Sequence, residues 1–221
     1  MARTNKTKGR YQPQSGGPNW LLLAGGGALV LVAILIVVNL VFAQAPAQVI
    51  ATPGRVLGKE NAPVTIQEYA DFQCPVCGQA NTVMRQLAPQ YIDTGKAKLE
   101  FHYFAFIGAE SQWAAEAAEC ATDQSKFWEY SDYVYKHQAG ENQSAFSRAN
   151  LKAFAGAVGL DMAAFNACFD GSKYTELVKR ETEEGRSRGV RATPTFFIGG
   201  QKYEGLLSAA QFGQIITTLA R

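Results

Sequence analysis

The chain has 221 residues, of which 18% are charged, and its formal net charge is +2 at pH 7. This length allows one domain with appendages or at most two small domains. The near balance of charge excludes an extended nucleic-acid-binding surface, because the few clustered basic residues lie together at the N-terminus.

The N-terminal segment has the composition of a membrane anchor. Residues 1–19 contain the clustered basic residues, and residues 20–43 are apolar apart from three glycines and Asn39. An apolar run of this length spans a bilayer. The basic flank places the N-terminus in the cytoplasm and everything after residue 43 outside. We therefore predict a cytoplasmic tail over 1–19 and one transmembrane helix over 20–43.

A cleaved signal peptide is the alternative interpretation of this segment. Residues 43–45 and 45–47 both have the small-x-small pattern of a cleavage site. The apolar run exceeds the usual length of a signal core, and Pro46 directly follows the first candidate site, so a retained anchor is favoured. In either case the remaining chain meets an oxidising compartment. Residues 44–55, rich in Ala, Gln and Pro, predict a linker.

Two cysteines lie at a predicted junction between a strand and a helix. Residues 63–70 are dense in β-branched and aromatic side chains, which indicates a short buried strand. Apolar residues then recur at helical spacing and predict a helix over about 75–92. Pro75 suits the first turn of this helix, where no amide donor is needed. Cys74 and Cys77 therefore lie at the start of the helix.

This position gives the two thiols different chemistry. The positive end of a helix favours the thiolate of Cys74 over its thiol. Cys77 lies one turn further in and is expected to be more buried. The pair thus divides into an exposed attacking thiolate and a protected resolving thiol, and a stabilised thiolate makes the disulfide more oxidising.

The same two cysteines are also half of a structural zinc site, which needs four ligands. The candidates for the other half are Cys120, Cys168, His102 and His137. None of them forms a second closely spaced ligand pair, and the spacing of Cys74 and Cys77 alone does not decide between the two interpretations.

The rest of the chain continues the alternation of strands and helices. Residues 98–104 predict a second strand, which makes a parallel crossover with the first. Residues 110–189 predict about four helices, with interruptions at 140–142, 159 and 170–171.

The chain then closes with a predicted hairpin and one more helix. Residues 194–198 and 201–204 predict two strands, and Gly199-Gly200 between them predicts a hairpin turn. Ser208 is a candidate N-cap of the last helix.

Three motifs carry a resemblance to a known family. They are residues 68–77 (Glu-Tyr-Ala-Asp-Phe-Gln-Cys-Pro-Val-Cys), residues 119–121 (Glu-Cys-Ala) with 127–128 (Phe-Trp), and residues 189–196 (Gly-Val-Arg-Ala-Thr-Pro-Thr-Phe). With this order of elements, the chain resembles the DsbA-like thiol:disulfide oxidoreductases. The resemblance implies an α/β fold over residues 56–221, a thioredoxin fold with an α-helical domain inserted at about 109–189 and a transmembrane helix before it.

The resemblance also implies roles for individual residues around the cysteines. Pro194 corresponds to the cis-proline that faces them, and Thr193 then presents its backbone beside Cys74, where an extended substrate can pair as an added strand. Glu68 lies where this fold often carries a buried acid that relays a proton to or from Cys77. An exposed strand carboxylate is the alternative for Glu68.

Cys120 and Cys168 are expected, by the same resemblance, to form a structural disulfide between two helices. Such a bond stabilises by about 2 to 4 kcal/mol. Two buried free thiols are the alternative. The chain departs from the family pattern at residues 105–108, where relatives often carry a proline after the aromatic residue. No cofactor, resident metal or nucleic acid is expected.

The function implied is a membrane-anchored thiol:disulfide oxidase that donates the Cys74–Cys77 disulfide to secreted or membrane proteins. Its expected partners are thiol-containing protein substrates and a quinone-linked reoxidase of the DsbB or VKOR type in the membrane. A disulfide reductase or isomerase is the alternative within the same chemistry. A non-catalytic module, either metal-holding or docking, is the alternative from another class.

Overall fold

The computed structural model describes residues 53–220 together with the helical residues Ile34 and Ile36. The chain divides after residue 46 into two units, and the second is described here. Apart from the two isoleucines, the predicted cytoplasmic tail, the transmembrane helix and the first part of the linker fall outside the described residues. Among the residues that are described, no helix is long and apolar enough to cross a membrane.

A five-stranded sheet forms the centre of the fold. Its strands are β1 (Val56–Leu57), β2 (Val64–Ala70), β3 (Ala97–Tyr103), β4 (Thr195–Ile198) and β5 (Gln201–Glu204). Their order across the sheet is β1-β3-β2-β4-β5; β2 and β3 are parallel, and the other pairs are antiparallel. The predicted parallel crossover and closing hairpin of the thioredoxin fold are therefore confirmed. β1 was not predicted, because two residues are too few to show an alternating pattern.

Within residues 53–220, seven α-helices surround the sheet. They are α1 (Pro75–Leu87), α2 (Ala109–Thr122), α3 (Phe127–Lys136), α4 (Arg148–Ala157), α5 (Met162–Asp170), α6 (Thr175–Ser187) and α7 (Ala209–Leu219). The first predicted helix continues beyond α1 as one π-helical turn, Ala88–Ile92. Pro89 lacks the amide hydrogen that would extend the α-helical ladder there. Ser208 caps α7 through a capping box with Gln211, as its position predicted.

The prediction of about four helices between β3 and β4 was wrong, because the structure has five, α2 to α6. The missed break lies between α2 and α3, where the chain contains neither glycine nor proline. Ser125 makes the turn in the left-handed region, with φ of 56°. Non-glycine residues adopt this conformation only at a cost, so a sequence pattern gives little warning of it.

The described residues form two main hydrophobic clusters, and the strand β2 contributes to both. One cluster joins Phe72, Phe101 and the cysteines to the helices between β3 and β4. The other packs α1 and α7 against the sheet. Trp128 packs against both clusters. The N-terminus of α1 is consequently fixed between the sheet and the inserted helices.

Arg55, the last residue of the predicted linker, is fully buried. Its guanidinium lies 2.6 Å from a carboxylate oxygen of Glu181 and 2.9 Å from one of Glu119. It also lies 4.3 Å from the centroid of the Tyr103 ring. These contacts attach the start of the domain to α2, α6 and β3. The sequence did not predict these contacts, because the partners lie far from Arg55 along the chain.

Replacing Arg55 with leucine should lower the free energy of unfolding by about 3–5 kcal/mol, because two buried carboxylates lose their counter-charge. Chemical denaturation of the isolated domain measures this change. Arg186→Leu is the matched control: Arg186 pairs with Glu183 on an exposed face of α6, and its loss should change the free energy by at most about 1 kcal/mol. Equal effects of the two substitutions would contradict the assignment of a stabilising role to the buried cluster.

Candidate active site

Cys74 and Cys77 begin the helix that follows β2. Cys74 is the N-cap of α1 and Pro75 its first residue. Both thiols are free, so the structure shows the reduced pair. Cys77 is fully buried, and only 7% of Cys74 is exposed. The prediction of an exposed Cys74 was therefore wrong in degree, because distant parts of the chain cover most of its surface.

The surroundings of Cys74 favour its thiolate. A hydrogen bond from the Cys77 thiol is the largest effect, and with the N–H groups of Cys77 and Val76 it lowers the pKa of Cys74 to about 6. Partial burial acts in the opposite direction. Burial, and then the bond to Cys74, raise the pKa of Cys77 well above its ordinary value. At neutral pH the pair thus consists of one thiolate and one thiol.

The segment that contains Pro194 forms the wall beside Cys74. The Thr193–Pro194 bond is cis. The carbonyl oxygen of Thr193 lies 3.3 Å from the sulfur of Cys74, although the two residues are 119 positions apart. The carbonyl of Pro194 accepts a 2.8 Å hydrogen bond from the N–H of Gly205, which ties this wall to the end of β5. Thr193 and Cys74 are therefore held face to face.

Glu68 is buried in the sheet near the cysteines. It lies on β2 opposite Phe101 of β3 and Phe196 of β4, and 3% of it is exposed. Burial is the main cause that raises the pKa of Glu68 to about 8, with a smaller contribution from Cys74 and an opposing one from Arg85. Its charge in turn contributes to the raised pKa of Cys77. At neutral pH Glu68 is mostly protonated and can exchange a proton with its surroundings.

Asp71, which the sequence analysis did not single out, fixes the segment between β2 and Cys74. It is 1% exposed, and its carboxylate accepts four hydrogen bonds of 2.5 to 3.2 Å, from Gln73 N–H, the Ser111 hydroxyl, Phe106 N–H and Ile107 N–H. The last two donors belong to the loop over 105–108 that departs from the family pattern. This loop is thus held against the active-site segment by one carboxylate.

The other cysteines and the histidines have structural surroundings. Cys120 of α2 and Cys168 of α5 are joined by a disulfide. His102 stacks on Tyr69 at 4.7 Å and His137 on Tyr133 at 4.1 Å. Among residues 53–220 no three His, Cys, Asp or Glu side chains are grouped so that they could hold a metal. The zinc interpretation therefore has no third ligand in this part of the chain.

Alkylation of the reduced protein by iodoacetamide should occur at Cys74 with a midpoint near pH 6, because only the thiolate reacts. Cys77 should remain unmodified while the protein is folded. Mass spectrometry of the product across a pH series gives both results, and Cys74→Ser removes the reaction as a control. A midpoint between pH 8 and 9 would show that the surroundings of Cys74 do not stabilise its thiolate.

Glu68→Gln should stabilise the reduced protein more at high pH than at low pH. The pKa of Glu68 is raised from 4.5 to about 8 in the folded state. The protonated acid therefore makes its full contribution to the free energy of unfolding below pH 4.5, and this contribution is lost as the pH rises towards 8. The difference between variant and wild type should grow by up to about 1.4 kcal/mol per pH unit across this window. Urea denaturation at several pH values measures it. Glu60→Gln, at an exposed position, is the matched control.

Comparison with known proteins identifies the family. A family model described as Thioredoxin matches residues 51–218. The Na(+)/H(+) antiporter NhaA 3 of Salinispora tropica is 33% identical over 152 residues, which are 68% of this chain and 22% of that protein. The chain thus spans less than a quarter of that relative.

A second relative and a solved structure match a larger share of their own length. The probable disulfide bond formation protein D of Bacillus anthracis is 30% identical over 149 residues, 65% of this chain and 69% of that protein. The structure of oxidised BdbD from Bacillus subtilis shares the fold with a TM-score of 0.70 at 23% identity, over 77% of this chain and 95% of that one. The chain belongs to the thioredoxin family, within which it is similar to the probable disulfide bond formation protein D.

Proposed function

We propose that this protein is a thiol:disulfide oxidase that acts outside the cytoplasmic membrane. The observation that carries the proposal is the opposite shift of the two active-site thiols, since the pKa of Cys74 is lowered to about 6 while that of Cys77 is raised. A stabilised thiolate makes the reduced form more stable and the disulfide more oxidising. The name of the Bacillus anthracis relative, probable disulfide bond formation protein D, is consistent with this direction.

The reaction begins with the disulfide form of the pair. A substrate thiolate attacks the sulfur of Cys74, a mixed disulfide forms, and Cys77 leaves as a thiolate. A second substrate thiolate then attacks the substrate sulfur of the mixed disulfide. The substrate is released with its own disulfide, and Cys74 leaves as a stable thiolate. Two electrons pass from the substrate to the Cys74–Cys77 pair.

Glu68 supplies the proton that the departing Cys77 needs. The raised pKa of Cys77 means that its thiolate is a poor leaving group unless it is protonated as it forms. Glu68 carries a proton at neutral pH because its pKa is about 8, and it gives this proton up as Cys77 leaves. It takes the proton back when the pair is reoxidised, so Glu68 serves as general acid and general base in turn.

The substrate binds as an extended strand beside Thr193. The carbonyl of Thr193 faces Cys74 at 3.3 Å, so a backbone that pairs with this residue brings its cysteine to the reactive sulfur. Recognition through the backbone is largely independent of side-chain sequence. Such recognition suits an enzyme that oxidises many different thiol-containing proteins.

The proposed site of action is the outer face of the cytoplasmic membrane. The tail over 1–19, the anchor over 20–43 and the linker over 44–55 would hold the domain there. The disulfide between Cys120 and Cys168 also supports an oxidising compartment, because such bonds persist outside the cytoplasm. An anchored enzyme would meet a quinone-linked reoxidase of the DsbB or VKOR type at high effective concentration.

The reduction potential of the Cys74–Cys77 pair tests the proposal. Equilibration with glutathione should give a value nearer to that of DsbA, about −120 mV, than to that of thioredoxin, about −270 mV. The measurement is best made with Cys120 and Cys168 both replaced by alanine, so that only one pair titrates. A value near that of thioredoxin would instead favour a reductase or isomerase. Cys74→Ser should abolish oxidation of a reduced protein substrate, and retained activity would favour a non-catalytic docking module.

A further inference from the structure

Gln138 connects the inserted helices to the active-site segment. It lies two residues beyond the end of α3, and its side-chain amide nitrogen donates to the carbonyl of Phe72 at 2.7 Å and to the carbonyl of Cys74 at 2.9 Å. A glutamine amide has two hydrogens, and these two bonds use both of them. The amide therefore spans the peptide backbone on both sides of Gln73.

The carbonyl of Cys74 is the point where this contact matters most. The same oxygen accepts the first hydrogen bonds of α1, from Cys77 N–H at 3.1 Å and Gly78 N–H at 3.3 Å. Gln138 and the helix thus hold one peptide group from two sides. The orientation of that peptide group decides where the side chain of Cys74 points, and hence its placement opposite Thr193.

Because Gly78 has no side chain, the amide of Gln138 can lie against the backbone of α1 there. A Cβ atom built on Gly78 would lie 2.5 Å from Oε1 and 3.3 Å from Cδ of Gln138. Gly78 lies inside α1 and needs no left-handed conformation. Glycine within a helix is unfavourable relative to alanine, so the close approach of Gln138 supplies the reason for a glycine here.

We propose that Gln138 is a positioning residue for the reactive cysteine, and that Gly78 is a glycine because the Gln138 amide packs against its backbone. This inference deepens the proposed function, on which it rests, by assigning to the inserted helices a part in controlling Cys74. The amide N–H groups also offset the negative ends of two carbonyl dipoles close to the thiolate. Without them, the thiolate form of Cys74 is less favourable and its disulfide less oxidising.

Two different substitutions remove the contact. Gln138→Met keeps the length of the side chain and lacks both donors. Gly78→Ala leaves Gln138 in the chain but places a methyl group in the space of its flexible end, and it should favour the helix itself. Gln86→Met, at an exposed position of the same helix, is the matched control. The readouts are the pKa of Cys74, from thiolate absorbance at 240 nm, and the equilibrium constant with glutathione.

Both Gln138→Met and Gly78→Ala should raise the pKa of Cys74 by about half a unit, which is a factor of about three in the equilibrium. The glutathione equilibrium should shift by a similar factor towards a less oxidising pair, and Gln86→Met should change neither. In the double variant the two effects should not add, because both remove the same contact.

A pKa of Cys74 that is unchanged in Gln138→Met overturns the inference, even if that variant unfolds more easily. If the pKa of Cys74 changes in Gln138→Met but not in Gly78→Ala, the explanation for the glycine at position 78 is overturned. These results are independent of the proposed oxidase function. That function fails if the wild-type potential lies near that of thioredoxin, whereas the inference fails only if the variants do not differ from the wild type.

Discussion

Stabilisation of the Cys74 thiolate is the constraint on which the rest of the site depends. The N-terminus of α1 offers the N–H groups of Val76 and Cys77 to Cys74, whose pKa is lowered, while the pKa of Cys77 one turn further along is raised. The lowered pKa comes mainly from the hydrogen bond that the Cys77 thiol donates to Cys74, and the raised pKa comes mainly from the complete burial of Cys77. Two equally stabilised thiolates would leave no thiol to act as an acid, and two thiols with raised pKa values would leave no nucleophile. The hydrogen bond between the two thiols and the deeper burial of Cys77 together supply both.

The position of Glu68 follows from the same need for a dry interior. It lies on the apolar face of β2, between Phe101 and Phe196 on the neighbouring strands. A charged carboxylate there is unfavourable, and the group stays mostly protonated at neutral pH. Burial of Glu68 therefore lowers the stability of the fold, but it keeps this carboxyl group protonated near the cysteines. Desolvated groups with shifted pKa values are often found at active sites for this reason.

Sequence predicted the parts of the site that depend on local pattern. The strand before Cys74, the helix that begins at Pro75 and the closing hairpin all follow from hydrophobic period and turn residues. The break at Ser125 did not, because no glycine or proline marks it. The contacts of Arg55, Asp71 and Gln138 could not be predicted either, since each joins polar groups 35 or more residues apart, and a single polar residue shows no period. The position of the cis-proline Pro194 beside the cysteines was predicted only from the family resemblance.

The helices between β3 and β4 contribute to the chemistry as well as to the hydrophobic core. Ser111 at the start of α2 donates to Asp71, and the backbone N–H of Asn142 donates to the side chain of Gln73 at 2.6 Å. With the bonds from Gln138 to the carbonyls of Phe72 and Cys74, these contacts hold the segment that precedes α1. The segment between β3 and β4 thus supplies fixed donors to the residues before α1, so the environment of Cys74 is preorganised.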